Sequence, residues 1–122
     1  MSNPLIYVID DQINVGEIIT LCLRMEGYRA DFFANPLLAI AAFNSADPKP
    51  FLLISDFSMR EMDGIELQKR CRALMPNLKT IMISGTVTRE MLEMAQPKPD
   101  RMFEKPVNLR ELVSTISSLL AA

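Results

Sequence analysis

Two stretches of this chain are apolar without alternating, and each stops at a carboxylate. LIYVI (Leu5–Ile9) runs into Asp10 and Asp11, and FLLIS (residues 51–55) runs into Asp56. A strand with one solvated face alternates apolar and polar residues, whereas a continuous apolar run reads as a strand covered on both faces. Such strands belong to sheets sandwiched between helices, which narrows the possible folds more than any other feature. In open α/β sheets ligands bind just beyond the carboxyl ends of the strands, so Asp56 is a candidate for chemistry. Taken alone, an acid there serves as readily to turn or cap the chain.

The rest of the chain alternates strand and helix signals. A first helix is predicted with Asn14 as N-cap, Glu17 at N3 and Ile13 with Ile18 as a hydrophobic staple. Its inward stripe would be Val15, Ile18, Ile19, Cys22 and Met25, and Gly27 suits a left-handed stop. Residues 28–33 read as a short strand, and Asn35 before Pro36 opens a helix through about Phe43. A loop with Pro48 and Pro50 precedes the strand that ends at Asp56. Residues 65–75 then form a helix with Lys and Arg outward and Leu67, Cys71 and Leu74 inward, stopped by Pro76.

TIMI (residues 80–83) is a fourth strand, ending at Ser84 and Gly85. A short helix over residues 88–95 cannot continue through Pro97 and Pro99. Residues 101–103 form a brief, more polar edge strand that stops at Glu104, Lys105 and Pro106. The last helix has Asn108 as N-cap, Glu111 at N3, a Val107–Leu112 staple and an apolar face of Leu109, Leu112, Val113, Ile116, Leu119 and Leu120.

Five strands alternating with five helices, without repeats or a linker, predict one domain over residues 1–122: an α/β fold with a parallel sheet and helices on both faces. Right-handed crossovers bring Asp10, Asp11, Asp56, Ser84 and Lys105 to one edge of that sheet.

Composition removes several classes of function. A formal charge of −2 with acids and bases interspersed argues against direct nucleic-acid or membrane-surface binding. No run is long enough for a membrane span, and the apolar run Leu5–Ile9 is too short and ends in two acids, unlike a signal peptide, so a cytoplasmic location is expected. There is no histidine, and the two cysteines, Cys22 and Cys71, lack CxxC spacing. Zinc sites and histidine-dependent triads are therefore disfavoured, and any metal must be hard and oxygen-ligated.

Acids brought together at one edge raise one another's pKa or recruit a cation. Mg²⁺ is the natural choice, with Mn²⁺ as a substitute, because it needs only one or two carboxylates and keeps part of its water shell. Asp56 can then act as a nucleophile toward phosphorus, with Mg²⁺ and the Lys105 ammonium neutralising the phosphoryl oxygens and Ser84 donating a hydrogen bond. Singly, Asp10 and Asp11 read as helix caps, and Ser84–Gly85 and Lys105–Pro106 as turns. Met59 and Met62 suit packing better than ligation, since thioethers prefer soft ions.

The order of these pieces is specific: a DD pair after the first strand, D-x-x-M-x-x-M-D-G (Asp56, Met59, Met62, Asp63, Gly64) after the third, Ser84–Gly85 after the fourth and Lys105–Pro106 after the fifth. It resembles the receiver domain of two-component response regulators, of the chemotaxis-receiver kind, over essentially the whole chain. The resemblance implies a doubly wound, flavodoxin-like fold with strand order 2-1-3-4-5. It makes Asp56 the phosphoacceptor and a metal ligand, Asp11 a direct Mg²⁺ ligand, Asp10 a ligand mainly through metal-bound water, and the Ser58 carbonyl the last protein ligand. Ser84 takes the hydroxyl position that turns toward the phosphoryl group, and Lys105 the lysine that contacts it. The Lys105–Pro106 bond is one that receivers commonly hold in cis. Cys22 and Cys71 would be buried on helices covering opposite faces, with no disulfide.

By the same resemblance, the phosphoryl donor is a sensor histidine kinase or a phosphotransfer protein. The domain is expected to catalyse only its own phosphotransfer and slow dephosphorylation. Its output, toward an unidentified domain or partner, would pass through the surface of the 88–95 helix, the fifth strand and the last helix, where a dimer could also form. Three features depart from the pattern. Arg60 replaces a usual proline, Met102 stands where a rotating Tyr or Phe is common, and residues 96–100 (QPKPD) replace small residues and stiffen their loop. The departures leave room for a phosphorylation-independent interaction module. A Mg²⁺-dependent aspartyl-phosphate phosphatase of the haloacid-dehalogenase kind would need an acid two places after Asp56, where Ser58 stands.

Overall fold

Burial on both faces shapes the centre of the molecule. The structure, a computed structural model, describes residues 4–85, 90, 93, 94 and 96–121. Every residue of β3 (Leu52–Asp56) is buried, as are all but the first of β1 (Leu5–Ile9) and β4 (Lys79–Ser84). With β2 (Arg29–Phe33) and β5 (Arg101–Glu104) they form one parallel sheet in the order β2-β1-β3-β4-β5. The shorter, more exposed β5 is an edge strand, as its polarity predicted.

Four helices are described: α1 (Ile13–Met25), α2 (Pro36–Ser45), α3 (Gly64–Leu74) and α4 (Leu109–Ala121). The helix predicted over residues 88–95 lies largely outside the described residues. One core joins Ile19 and Leu23 of α1 and Leu112, Ile116 and Leu119 of α4 to Ile6, Val8, Ile54, Ile81 and Ile83 of the sheet. A second joins Ala39 and Phe43 of α2 and Leu67 and Cys71 of α3 to Tyr7, Ile9 and Leu53. Alternate residues of β1 and β3 thus enter opposite cores, the geometry that a two-sided apolar strand requires. No helix among the described residues is long and apolar enough to cross a membrane.

Several local predictions are realised. Asn35 Oδ1 accepts from Leu37 N at 2.8 Å with Pro36 in the first turn, and Asn108 Oδ1 accepts from Glu111 N at 3.0 Å. Gly27 has φ +92°, a conformation that glycine adopts without steric cost. Lys105–Pro106 is cis.

Other expectations fail for tertiary reasons. Helix α1 begins at Ile13, so Gln12, not Asn14, holds the N-cap position. Asp10 Oδ1 accepts from Gln12 N at 2.8 Å, turning the chain into the helix before Asn14 is reached. The helix is also rotated about its axis relative to the predicted stripe. Gly16, Ile19, Thr20 and Leu23 face the sheet, while Ile18 is 57% and Met25 78% exposed and Cys22 is only half-buried. Gly16 is the contact point, because a Cβ there would collide with the Phe32 ring. Thr20 is accommodated on the buried face by donating to Gly16 O at 2.7 Å.

In α3 the predicted inward Leu74 is 52% exposed, and the buried place belongs to Gln68. Both polar atoms of its amide are engaged: Thr80 Oγ1 donates to Gln68 Oε1 at 2.6 Å, and Gln68 Nε2 donates to Pro97 O. Arg72 extends this network with bonds to Thr80 Oγ1, Lys98 O and Asp100 Oδ2. Asp100 Oδ2 also accepts from Thr80 N at 2.7 Å. The proline-rich loop before β5 is thereby tied to both α3 and β4.

Both cysteines are free. Burial pushes the Cys71 thiol pKa up to about 11, against a smaller opposing effect of Lys49. A thiolate-directed reagent at neutral pH should therefore titrate Cys22 alone in the native protein and both thiols after denaturation. Equal reactivity of the two in the native state would contradict this packing.

Candidate functional site

Strand geometry delivers the carboxylates. β1 and β3 are in parallel register with Ile9 opposite Ser55, so Asp10 and Asp56 emerge side by side at the carboxyl edge. Asp10 is 2% exposed and Asp56 7%. Asp11, one residue on, is half-buried, and ligand oxygens of Asp10, Asp11 and Asp56 all lie within 4.8 Å of one another.

The loop after Asp56 is folded back on its own strand. Gly64 N donates to Phe57 O at 2.7 Å, and Ser55 Oγ donates to Asp56 O at 2.8 Å. Asp63 caps α3 by accepting from Glu66 N at 2.8 Å, while Met59 and Met62 pack against the second core. The methionines are thus packing groups. A Cβ on Gly64 would come within 2.5 Å of the Asp56 carbonyl oxygen, so only glycine lets the helix start this close to the acid.

Lys105 completes the cluster. β5 pairs with β4 with Glu104 opposite Ser84, and Lys105 N donates to Ser84 O at 2.9 Å, which carries the lysine over the strand ends. Its ammonium lies 3.1 Å from Asp10 Oδ2, 3.1 Å from Asp56 Oδ2 and 2.7 Å from Gln12 Oε1. Burial works against the charged ammonium, but the bonds to Asp56 and Asp10 outweigh it and its pKa is raised. For Asp10, burial raises the pKa, reinforced by Asp56 and opposed by the bonds from Gln12 N and Lys105.

A cavity of about 420 Å³ opens over these groups, lined by Asp11, Gln12, Asp56, Ser58, Arg60, Gly85 and Lys105. Of the predicted site residues, Asp10, Asp11, Asp56 and Lys105 are in one cluster. Ser58 lies on the cavity wall, its N–H 3.4 Å from Asp56 Oδ1. Ser84 is buried at the end of β4, and Gly85, not Ser84, lines the cavity there. Gln12 was not anticipated. Its one sequence signal was its place immediately after the acidic pair, where any polar residue suits a helix start.

The donor set fits a hard divalent ion: among the described residues three carboxylates converge with no sulfur or nitrogen ligand, and the cavity is open toward solvent. Asp10, Asp11 and Asp56, with the Ser58 carbonyl, are the groups that would hold it. Because the fold raises the Asp10 pKa, stability present in the acid range is lost as pH rises through that raised value. A cation bound only by the folded state offsets the loss.

A model of the response regulator receiver domain matches residues 6–117. The chain is 31% identical over 119 residues to the response regulator receiver protein CpdR of Brucella abortus (strain 2308), spanning 96% of this chain and 97% of that protein. It is 26% identical over 121 residues to sporulation initiation phosphotransferase F of Bacillus subtilis (strain 168), spanning 98% and 96%. A CheY-like receiver domain protein from Methanospirillum hungatei JF-1 superposes with TM-score 0.87 at 27% identity, covering 98% of this chain and 95% of that one. Fold and site define a CheY-like α/β domain with an acidic pocket at the carboxyl edge of its sheet. The chain belongs to the receiver domain family of two-component response regulators.

Two outcomes test this geometry. Millimolar Mg²⁺ should raise the thermal midpoint at neutral pH, and Asp11→Asn should remove most of that rise; a midpoint indifferent to Mg²⁺ would count against the metal assignment. Gly64→Ala should cost about 1–3 kcal/mol in denaturant unfolding through overpacking against the strand end.

Proposed function

We propose that this domain is a phosphorylation-dependent signalling switch that accepts a phosphoryl group on Asp56 from a sensor histidine kinase or a phosphotransfer protein in the cytoplasm. One observation carries the reading: three carboxylates converge within 4.8 Å, with the Lys105 ammonium 3.1 Å from both Asp56 and Asp10. Family membership supports it.

Asp56 is the acceptor because it is the one acid of the three placed on the strand itself, with its backbone fixed by Ser55 and by the close approach of Gly64. An Asp56 carboxylate oxygen forms the bond to phosphorus. The bond from phosphorus to the donor's imidazole nitrogen breaks, and its electron pair leaves with the imidazole. Mg²⁺ held by Asp10, Asp11, Asp56 and the Ser58 carbonyl would supply charge neutralisation at the phosphoryl oxygens. Lys105 stays protonated beside Asp56 and transfers no proton; it offers its ammonium to the same oxygens.

Ser84, at the end of the neighbouring strand, supplies the hydroxyl. Phosphorylation replaces the single negative charge of the Asp56 carboxylate with about −1.5 to −2 on the phosphoryl oxygens, judged from phosphorylated hydroxyl side chains. Drawing Ser84 and Lys105 toward that charge biases β5, which ends immediately before Lys105, and α4, which follows Pro106. The chemistry is self-modification, phosphotransfer followed by slow hydrolysis, and involves no turnover of a separate substrate.

One feature favours a second reading, an interaction module that signals without phosphate. Met102, at the position of the usual rotating aromatic, is 41% exposed on β5, whereas Phe103 packs into the core. Incubation with acetyl phosphate and Mg²⁺ should add one acid-labile phosphate to the wild type and none to Asp56→Asn. Absence of uptake, together with partner binding that Asp56→Asn leaves intact, would favour the second reading instead.

A further inference from the structure

Lys105 enters the phosphoryl pocket with its hydrogen bonds committed. An ammonium has three donors, and those of Lys105 are matched by Gln12 Oε1, Asp10 Oδ2 and Asp56 Oδ2. Among the described residues, the other cation on the cavity wall is Arg60, four residues after Asp56 in the loop between β3 and α3. Its side chain is exposed, and among the described residues no ion pair involves it, although Asp11 and Glu61 line the adjoining cavity of about 320 Å³ with it. Arg60 thus stands between two openings, beside an acidic cluster and with its guanidinium uncommitted.

Charge balance gives that guanidinium a task. Three carboxylates and one ammonium leave the cluster negative, and a divalent cation would neutralise it. An incoming phosphodonor then brings about −1.5 to −2 charges of its own. A guanidinium presents five N–H donors in a planar fork that matches phosphate oxygens bidentately. The proline that receivers commonly place here would leave the wall uncharged.

We propose that Arg60 is a second phosphate-binding cation of this pocket, contacting the oxygens of the phosphodonor alongside Lys105. It thereby tightens the hold on small anionic acyl phosphates, donors that bring no protein surface of their own. The inference rests on Asp56 being the phosphoacceptor. In the step, an Asp56 oxygen bonds to phosphorus while the bond from phosphorus to the acyl oxygen breaks, and that oxygen's electron pair leaves with the carboxylate product. Arg60 transfers no proton and binds charge only.

The test compares wild type with Arg60→Ala, Arg60→Lys and Arg60→Pro, measuring phosphate uptake from acetyl phosphate at saturating Mg²⁺ and, by calorimetry, Mg²⁺ affinity without donor. Arg60→Ala and Arg60→Pro should raise the half-saturating acetyl phosphate concentration about fivefold or more, with Arg60→Lys between them and wild type, and the difference should shrink at high salt. Mg²⁺ affinity should hold or improve, because removing a cation near three carboxylates favours a divalent ion. A merely structural role for Arg60 would weaken both, and that outcome overturns the proposal. So does unchanged donor use in Arg60→Ala when the wild type is phosphorylated normally. Failure of the wild type itself to take up phosphate would instead overturn the phosphoacceptor reading, and this inference with it.

Discussion

Like charges held as close as the carboxylates of Asp10, Asp11 and Asp56 demand a cation. Lys105 meets part of that demand, and its position depends on most of the fold. Asp10 and Asp56 are fixed by adjacent buried strands, whereas the lysine comes from the far side of the sheet, through β5 and its register with β4. An arrangement this costly in desolvation persists only if the backbone cannot relax away from it. Burial of β1, β3 and β4 in two cores supplies that rigidity.

The polar network at the opposite end of the sheet serves the same site. Arg72, Gln68, Thr80 and Asp100 tie the loop before β5 to α3 and β4, which anchors the edge strand at its start. An edge strand has one neighbour only, so without these bonds β5 would be the least constrained support of the cluster. Among the described residues no buried side-chain polar atom lacks a hydrogen-bond partner, as a buried network must achieve to be worth its desolvation.

Much of the fold was legible in the chain because the signals were local and agreed. Unbroken apolar runs marked the buried strands, Asn35 and Asn108 marked two helix starts, and Gly27 marked a stop. Legibility failed where a partner outside the element decided the outcome. Asn14 lost the cap position to a turn organised by Asp10, and the buried face of α1 was chosen by the fit of Gly16 against Phe32 on β2. Gln68 displaced Leu74 from the buried face of α3 because Thr80 and Pro97 offered its amide partners. Gln12 escaped notice for the same reason, since its partner is 93 residues away.

By itself, the sequence determined the class of sheet, which residues end its strands, and so which acids and which lysine could meet at one edge. Those follow from period-two geometry and the single handedness of parallel crossovers, both properties of short segments. Tertiary structure decided the rest: which face of each helix is buried, that Gln12 shares Lys105 with the acids, and that Arg60 and Gly85, but not Ser84, line the pocket. These are matters of distance between segments remote in the chain, and no local pattern encodes a distance.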